Sequence, residues 1–227
     1  DAFGGFLEDT LNNNNINTEL LFKIKNNTTF AFLSLMENGE RDFEFARDAD
    51  ECLTFDMISD RLEEFDLYHF GSATAFMGGN LKDTYFKLKE YAKSNNKIIS
   101  FDANYRESLF GNNKEEFIKC CKEFIVDSNI VKLSEEEAKL ISGIEDIKEA
   151  SQYIGCENLM VTLGKEGTLL SNREKQILIK TKEVKMKDAT GAGDAFIGAV
   201  IAQILNEPGK SMEKIVEMAN LVGGITT

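Results

Sequence analysis

The sequence predicts an α/β protein built as a three-layer α/β/α sandwich with a mainly parallel central sheet, and three observations carry that prediction. From residue 56 onward strand-like and helix-like stretches alternate, which requires crossover connections and therefore parallel pairing. The polar motifs follow directly after predicted strands, where ligands gather in sheets of this kind. A glycine-rich turn, Gly191-Ala192-Gly193, leads into the apolar sequence of a further helix.

The elements follow in order. Residues 1–11 place apolar side chains at Phe3, Phe6, Leu7 and Leu11, the pattern of a short helix packing one face inward, and Asn12 to Asn15 make a polar loop. Residues 28–47 read as a β-hairpin: a β-rich stretch at 28–35, an Asn-Gly turn at 38–39, then charged and aromatic residues alternating. Phe43 and Phe45 fall on one face of it, where routine sheet packing explains them better than a cavity seal does. Helix is predicted over 56–65, 80–94 and 115–126, and strand over 67–70, 97–101, 130–133 and 158–162. His69 lies inside an apolar strand and reads as a buried, satisfied histidine rather than a catalytic one. A second hairpin pairs 168–171 with 176–179, and two helices close the chain, one after residue 191 and one over 211–225, separated by Asn206-Glu207-Pro208-Gly209.

The chemistry concentrates at Asp188-Ala189-Thr190-Gly191-Ala192-Gly193-Asp194. Glycines at 191 and 193 let main-chain N–H groups converge on an anion where the helix starts, and an acid in the first helical turn, Asp194, is favoured by the helix dipole. A base beside a phosphate cradle implies phosphoryl transfer to a hydroxyl. An ordinary loop with Asp194 as a first-turn acid has the same pattern. A dinucleotide fingerprint is disfavoured because Phe196 stands where a third glycine belongs, and a Walker loop lacks its Gly-Lys-Ser/Thr. After the strand ending at 101, Asn104 is placed to orient a hydroxyl and Arg106 to pair with phosphoryl or sugar oxygens, against the alternative of an Asx loop with a surface arginine. Ser134 and Glu137 have the spacing of a capping box.

Of the 227 residues, 42% are hydrophobic and 29% charged, enough for one well-buried domain. A formal net charge of −13 argues against binding nucleic acid or anionic membranes, since those need surplus Lys and Arg. Cys52, Cys120, Cys121 and Cys156 lack metal-ligand spacing and read as free thiols, and no apolar run reaches membrane-spanning length. These features predict a cytoplasmic protein.

The run DATGAGDAFIGAV resembles the C-terminal signature of the ribokinase and fructokinase family of carbohydrate kinases. Further motifs stand in the family's order: DAFGGFL at the start, DANYR at 102–106, KLSEEE at 132–137 and VTLGKEG at 161–167. Ala189 departs from the family's more frequent threonine.

The resemblance implies a ribokinase-like fold with a small β lid formed by the hairpin at 28–47. It also implies a single domain over 1–227 lacking the family's N-terminal strand region and its C-terminal adenine- and cation-binding tail. It implies ATP as phosphoryl donor, with Thr162, Gly164, Lys165, Gly167 and Ser134 near the nucleotide. Asp194 becomes the catalytic base and Gly191, Ala192 and Gly193 the anion cradle. Glu137 would order the water around Mg2+, and Asp188 and Thr190 would border a monovalent cation such as K+. Arg47, Asn104 and Arg106 would face the sugar. The form Asp-x-Asn-x-Arg is that of fructokinase and 2-keto-3-deoxygluconate kinase relatives, and a hexose, fructose, is the expected substrate. The alternatives are 2-keto-3-deoxygluconate kinase, ribokinase, and a sugar- or nucleotide-binding regulator without turnover. Relatives pair through their lids, so a homodimer is implied.

Overall fold

The computed structural model describes residues 1–35, 41–182 and 190–226. The Asn-Gly turn, Asp188 and Ala189 lie outside them. Six strands form one sheet: β3 (Leu67–Gly71), β4 (Ile98–Asp102), β5 (Ile130–Ser134), β6 (Leu159–Thr162), β7 (Thr168–Ser171) and β8 (Gln176–Ile179), side by side in that order. β3 to β6 pair in parallel, and the hairpin β7–β8 adds two antiparallel strands. A separate antiparallel pair, β1 (Phe30–Leu35) and β2 (Arg41–Ala46), forms the predicted hairpin.

Strand alternation supplies two cores. Phe70, Ile99, Phe101, Val131, Leu133, Leu159, Val161 and Leu169 face one way, onto α2 (Gly79–Ser94), α4 (Lys114–Asp127) and α5 (Glu135–Ser142). Ile130, Met160 and Leu170 face the other way, onto α7 (Ala192–Asn206) and α8 (Met212–Ile225). Each large side chain buried this way contributes roughly 2 kcal/mol, so the alternation of a few strands decides which helices lie on which face. α3 (Glu107–Phe110) and α6 (Ile147–Ile154) complete the helices, together with α1 (Ala2–Asn13). All four cysteines are free, three of them buried.

Three expectations change. α1 forms but buries no residue, and Phe3, Phe6 and Leu7 are exposed. It meets the hairpin, where Phe3 sets its ring edge on Phe30 at 4.7 Å, and the segment between, where Glu8 pairs with Lys23; the Asp1 carboxylate accepts from the N–H groups of Gly4 and Thr28. The stretch predicted helical over 56–65 is 3-10 in two pieces, Phe55–Met57 and Ser59–Glu64. Only Ile58 and Leu62 are buried there, too few for the apolar stripe that stabilises an α-helix. His69 is not buried: Tyr68 and Phe70 point into the core, and His69 is exposed on the other face of the sheet, its Nδ1 3.1 Å from Ser100 Oγ.

Candidate active site

The carboxyl ends of the parallel strands lie level, with Gly71, Asp102 and Lys132 in register across β3, β4 and β5, and Ser134 beside Thr162 of β6. Asp102 and Lys132 are both buried, and the Lys132 ammonium donates to Asp102 Oδ1 at 3.0 Å. Burial pushes the Asp102 carboxyl up to about 7: Lys132 holds it down only in part, and the charges of Glu137 and Asp194 add to the rise. Sequence reasoning passed over both residues. The signal was there, a charged residue within or at the end of an otherwise apolar strand, which is rare unless the charge has a partner.

The loop after β4 is fixed from beneath. The Asn104 N–H donates to Ser72 Oγ at 3.0 Å and the Tyr105 N–H to Glu137 Oε1 at 2.9 Å. Glu137 Oε2 accepts from the Ser134 N–H at 2.8 Å, and Ser134 Oγ accepts from the Glu137 N–H at 3.2 Å, the predicted capping box of α5. Glu137 thus joins the β4 loop to the start of α5. Arg106 Nη1 donates to the Tyr105 carbonyl at 3.0 Å. Both Glu137 oxygens already accept backbone N–H groups, so this carboxylate fits a contact through water to an ion that arrives with a nucleotide.

The first turn of α7 lies above this floor. Gly191 caps it at φ 80°, the left-handed region that glycine tolerates. A Cβ on Gly193 would come within 2.9 Å of Lys132 Nζ, and one on Gly223 of α8 within 3.1 Å of the Ala192 carbonyl. The helix terminus is therefore held between β5 and α8 by two close contacts, each tighter than a side chain at the glycine would accept without its neighbour giving way. Asp194 is exposed, and its charge is felt by Asp102 and by His69. His69 is held below its usual value, first by partial loss of water and then by Lys132, against the pull of Asp194. Thr190, just before the cap, is exposed.

Other predicted residues lie in adjoining turns. Thr162 ends β6 with its hydroxyl donating to the Leu133 carbonyl at 3.3 Å. Gly164 and Gly167 have φ of 56° and 102°, and Lys165 between them is exposed. At Gly167 a Cβ would fall 2.2 Å from the Ile179 carbonyl, so that glycine is demanded by the passing chain of β8 whether or not a nucleotide binds. Arg47 stands at the root of the hairpin, where its guanidinium bonds Asp50 (2.8 Å), Glu51 (3.2 Å) and the Thr74 carbonyl (3.3 Å), tying the hairpin to the segment after β3. Phe45 packs against the larger core. Cavities of about 290 and 220 Å3 lie at the opposite, amino end of the sheet, sharing Asn129 and Glu157, and border none of the residues above.

A glycine-capped helix terminus with an exposed acid, set at the carboxyl end of a parallel sheet, fits a phosphoryl-transferring enzyme of the three-layer α/β class. The comparisons take this one step further. The sequence matches the pfkB family carbohydrate kinases over residues 1–227. Fructokinase-1 of Oryza sativa subsp. japonica is 30% identical, with all of this chain aligned to 73% of that protein. An uncharacterized sugar kinase from Pyrococcus horikoshii, solved in complex with ATP, superposes with a TM-score of 0.86 at 30% identity, over 100% of this chain and 73% of its own. A fructokinase double mutant from Vibrio cholerae O395, bound to fructose, ADP and potassium, gives 0.86 at 25% identity, over 100% and 76%. The chain belongs to the pfkB family of carbohydrate kinases and has the ribokinase-like fold. It is an ATP-dependent carbohydrate kinase. Among the described residues no helix is long and apolar enough to cross a membrane.

Proposed function

We propose that this kinase transfers the terminal phosphoryl group of ATP to a primary hydroxyl of a hexose, fructose. The observation that carries the reading is the first turn of α7: an exposed carboxylate on a glycine-capped helix terminus, over the carboxyl end of the sheet. Fructokinases among the relatives support the sugar.

In this mechanism Asp194 takes the proton of the sugar hydroxyl as its oxygen attacks the γ-phosphorus. The new O–P bond forms as the bond to ADP breaks, and the proton later leaves to water. The N–H groups of Gly191, Ala192, Gly193 and Asp194 receive the phosphoryl oxygens; losing one such donor costs on the order of 3 kcal/mol of barrier in comparable sites. Asn104 and Arg106 orient the acceptor from the β4 loop, and Thr162, Ser134 and the 164–167 turn border the nucleotide. Positioning does most of the work, because the transferring group itself needs little covalent help. Mg2+ bound to ATP would neutralise phosphate charge, with Glu137 ordering its water; Thr190 and Asp188 are the residues assigned to a potassium ion. Lid pairing through the β1–β2 hairpin and a cytoplasmic location complete the proposal.

Phosphorylation of 2-keto-3-deoxygluconate is the second reading, and it needs a cation for the substrate carboxylate. Arg47, one of the two arginines available for it, is already bonded to two carboxylates, which favours the neutral sugar. ADP release measured with fructose, ribose and 2-keto-3-deoxygluconate separates the readings. Fructose is expected to give the highest kcat/KM, and turnover of the keto acid without any of fructose would reverse the assignment.

A further inference from the structure

The reaction as drawn does not use the buried pair at the ends of β4 and β5, yet that pair lies directly beneath the turn that carries the acid. Lys132 is 9% exposed and Asp102 4%. Removing a lysine ammonium from water costs several kcal/mol, and the positive end of a helix dipole repels it further. Stability alone gives no reason to place a cation under the first turn of α7. The ammonium's one described hydrogen bond is to Asp102, and the point a Cβ on Gly193 would fill lies 2.9 Å from its Nζ.

We propose that Lys132 is a positioning residue for phosphoryl transfer: clamped by Asp102, its ammonium sets how closely the first turn of α7 approaches the sheet, and so where the Asp194 carboxylate stands. The contact is already tight. Space for a Cβ at 193 is absent because Nζ occupies it, with Cε 3.6 Å from the same point. The ammonium cannot swing aside without breaking its 3.0 Å bond to a carboxylate held in a buried strand. A misplacement of about 1 Å between a base and its hydroxyl costs on the order of a hundredfold in rate, so a side chain that fixes this distance acts on kcat and leaves substrate binding alone. Glu137 on α5 and His69 on β3 are the other titratable groups near the cluster among the described residues, and neither has a described hydrogen bond to Lys132.

The inference rests on Asp194 being the base, and the test separates the two. Lys132→Met in the natural protein is expected to lower kcat about thirtyfold, with KM for ATP and sugar, and ATP affinity by calorimetry, within about threefold. Lys132→Ala is expected to recover about tenfold of its lost kcat on addition of ethylammonium and none with ethanol, a response that a merely space-filling lysine would not give. Asp102→Asn, near isosteric, should lower kcat about fivefold with binding unchanged, and decides the matter if the lysine variants do not fold. Wild-type kcat in folded Lys132→Met or in Asp102→Asn, or losses carried wholly by KM, would overturn the proposal. If Asp194→Asn keeps wild-type turnover, the general-base reading falls, and this inference with it; an inactive Asp194→Asn beside a fully active Lys132→Met removes this inference alone.

Discussion

At the scale of single residues, the site is a small set of charges: Glu137 held by two backbone N–H groups, Asp102 and Lys132 by each other, and Asp194 carried on the first turn of α7. Asp194 is the one assigned a proton. Asp194→Asn should keep ATP affinity within a few fold and lower kcat by about a hundredfold or more, as stopped-assay kinetics and calorimetry together would show; retained turnover would end its role as base. The sequence made this residue visible because an acid after a glycine-rich turn is a local pattern. It did not make Asp102 or Lys132 visible, because their significance depends on parallel register between strands about thirty residues apart, which no local spacing encodes. Glu137 was legible as a capping residue, whereas its second hydrogen bond, from the Tyr105 N–H, again crosses between loops distant in sequence. Gly193 was read as a glycine that clears space for a ligand; the structure adds that it clears space for Lys132.

Among elements, the strands that alternate with helices were legible because burial on both faces leaves continuous apolar runs. The helix boundaries shift by a residue or two, as in α2 and α4. What failed did so for want of tertiary context. The periodicity of α1 promised an inward face, and what it meets is the hairpin at Phe30 and the polar residues Thr18 and Lys23, with none of its own residues buried. The 55–64 stretch carries helical residue types and lacks a stripe to bury. The turn from β6 to β7 shows the reverse, a glycine whose reason is purely steric. Gly167→Ala places a methyl 2.2 Å from the Ile179 carbonyl at a φ of 102°, and should destabilise the fold by about 3 kcal/mol, read as a lower denaturant midpoint. An unchanged midpoint would mean that β8 can draw back from the turn.

Across the whole molecule, the sheet sorts functions by end: charged groups and loops at the carboxyl edge, the two cavities at the amino edge. The buried acid at the carboxyl edge also links folding to pH. Asp102 keeps its proton up to about 7 when folded, but releases it near 3.8 when unfolded. Its contribution is fully present below the unfolded value and is lost as pH rises toward 7. Between pH 5 and 8 the wild type should therefore lose on the order of 2 kcal/mol more stability than Asp102→Asn. Denaturant unfolding of both proteins at several pH values checks this, and parallel curves would contradict it. The tight seating of α7 between β5 and α8 has a further consequence for how such a protein changes over generations. Gly193 faces the tip of Lys132, and Gly223 faces the Ala192 carbonyl and Phe196, so a larger residue at either glycine requires its own neighbour to give way. Drift there proceeds by matched replacements, and in related chains position 193 should vary with 132, and 223 with 196, or hardly at all.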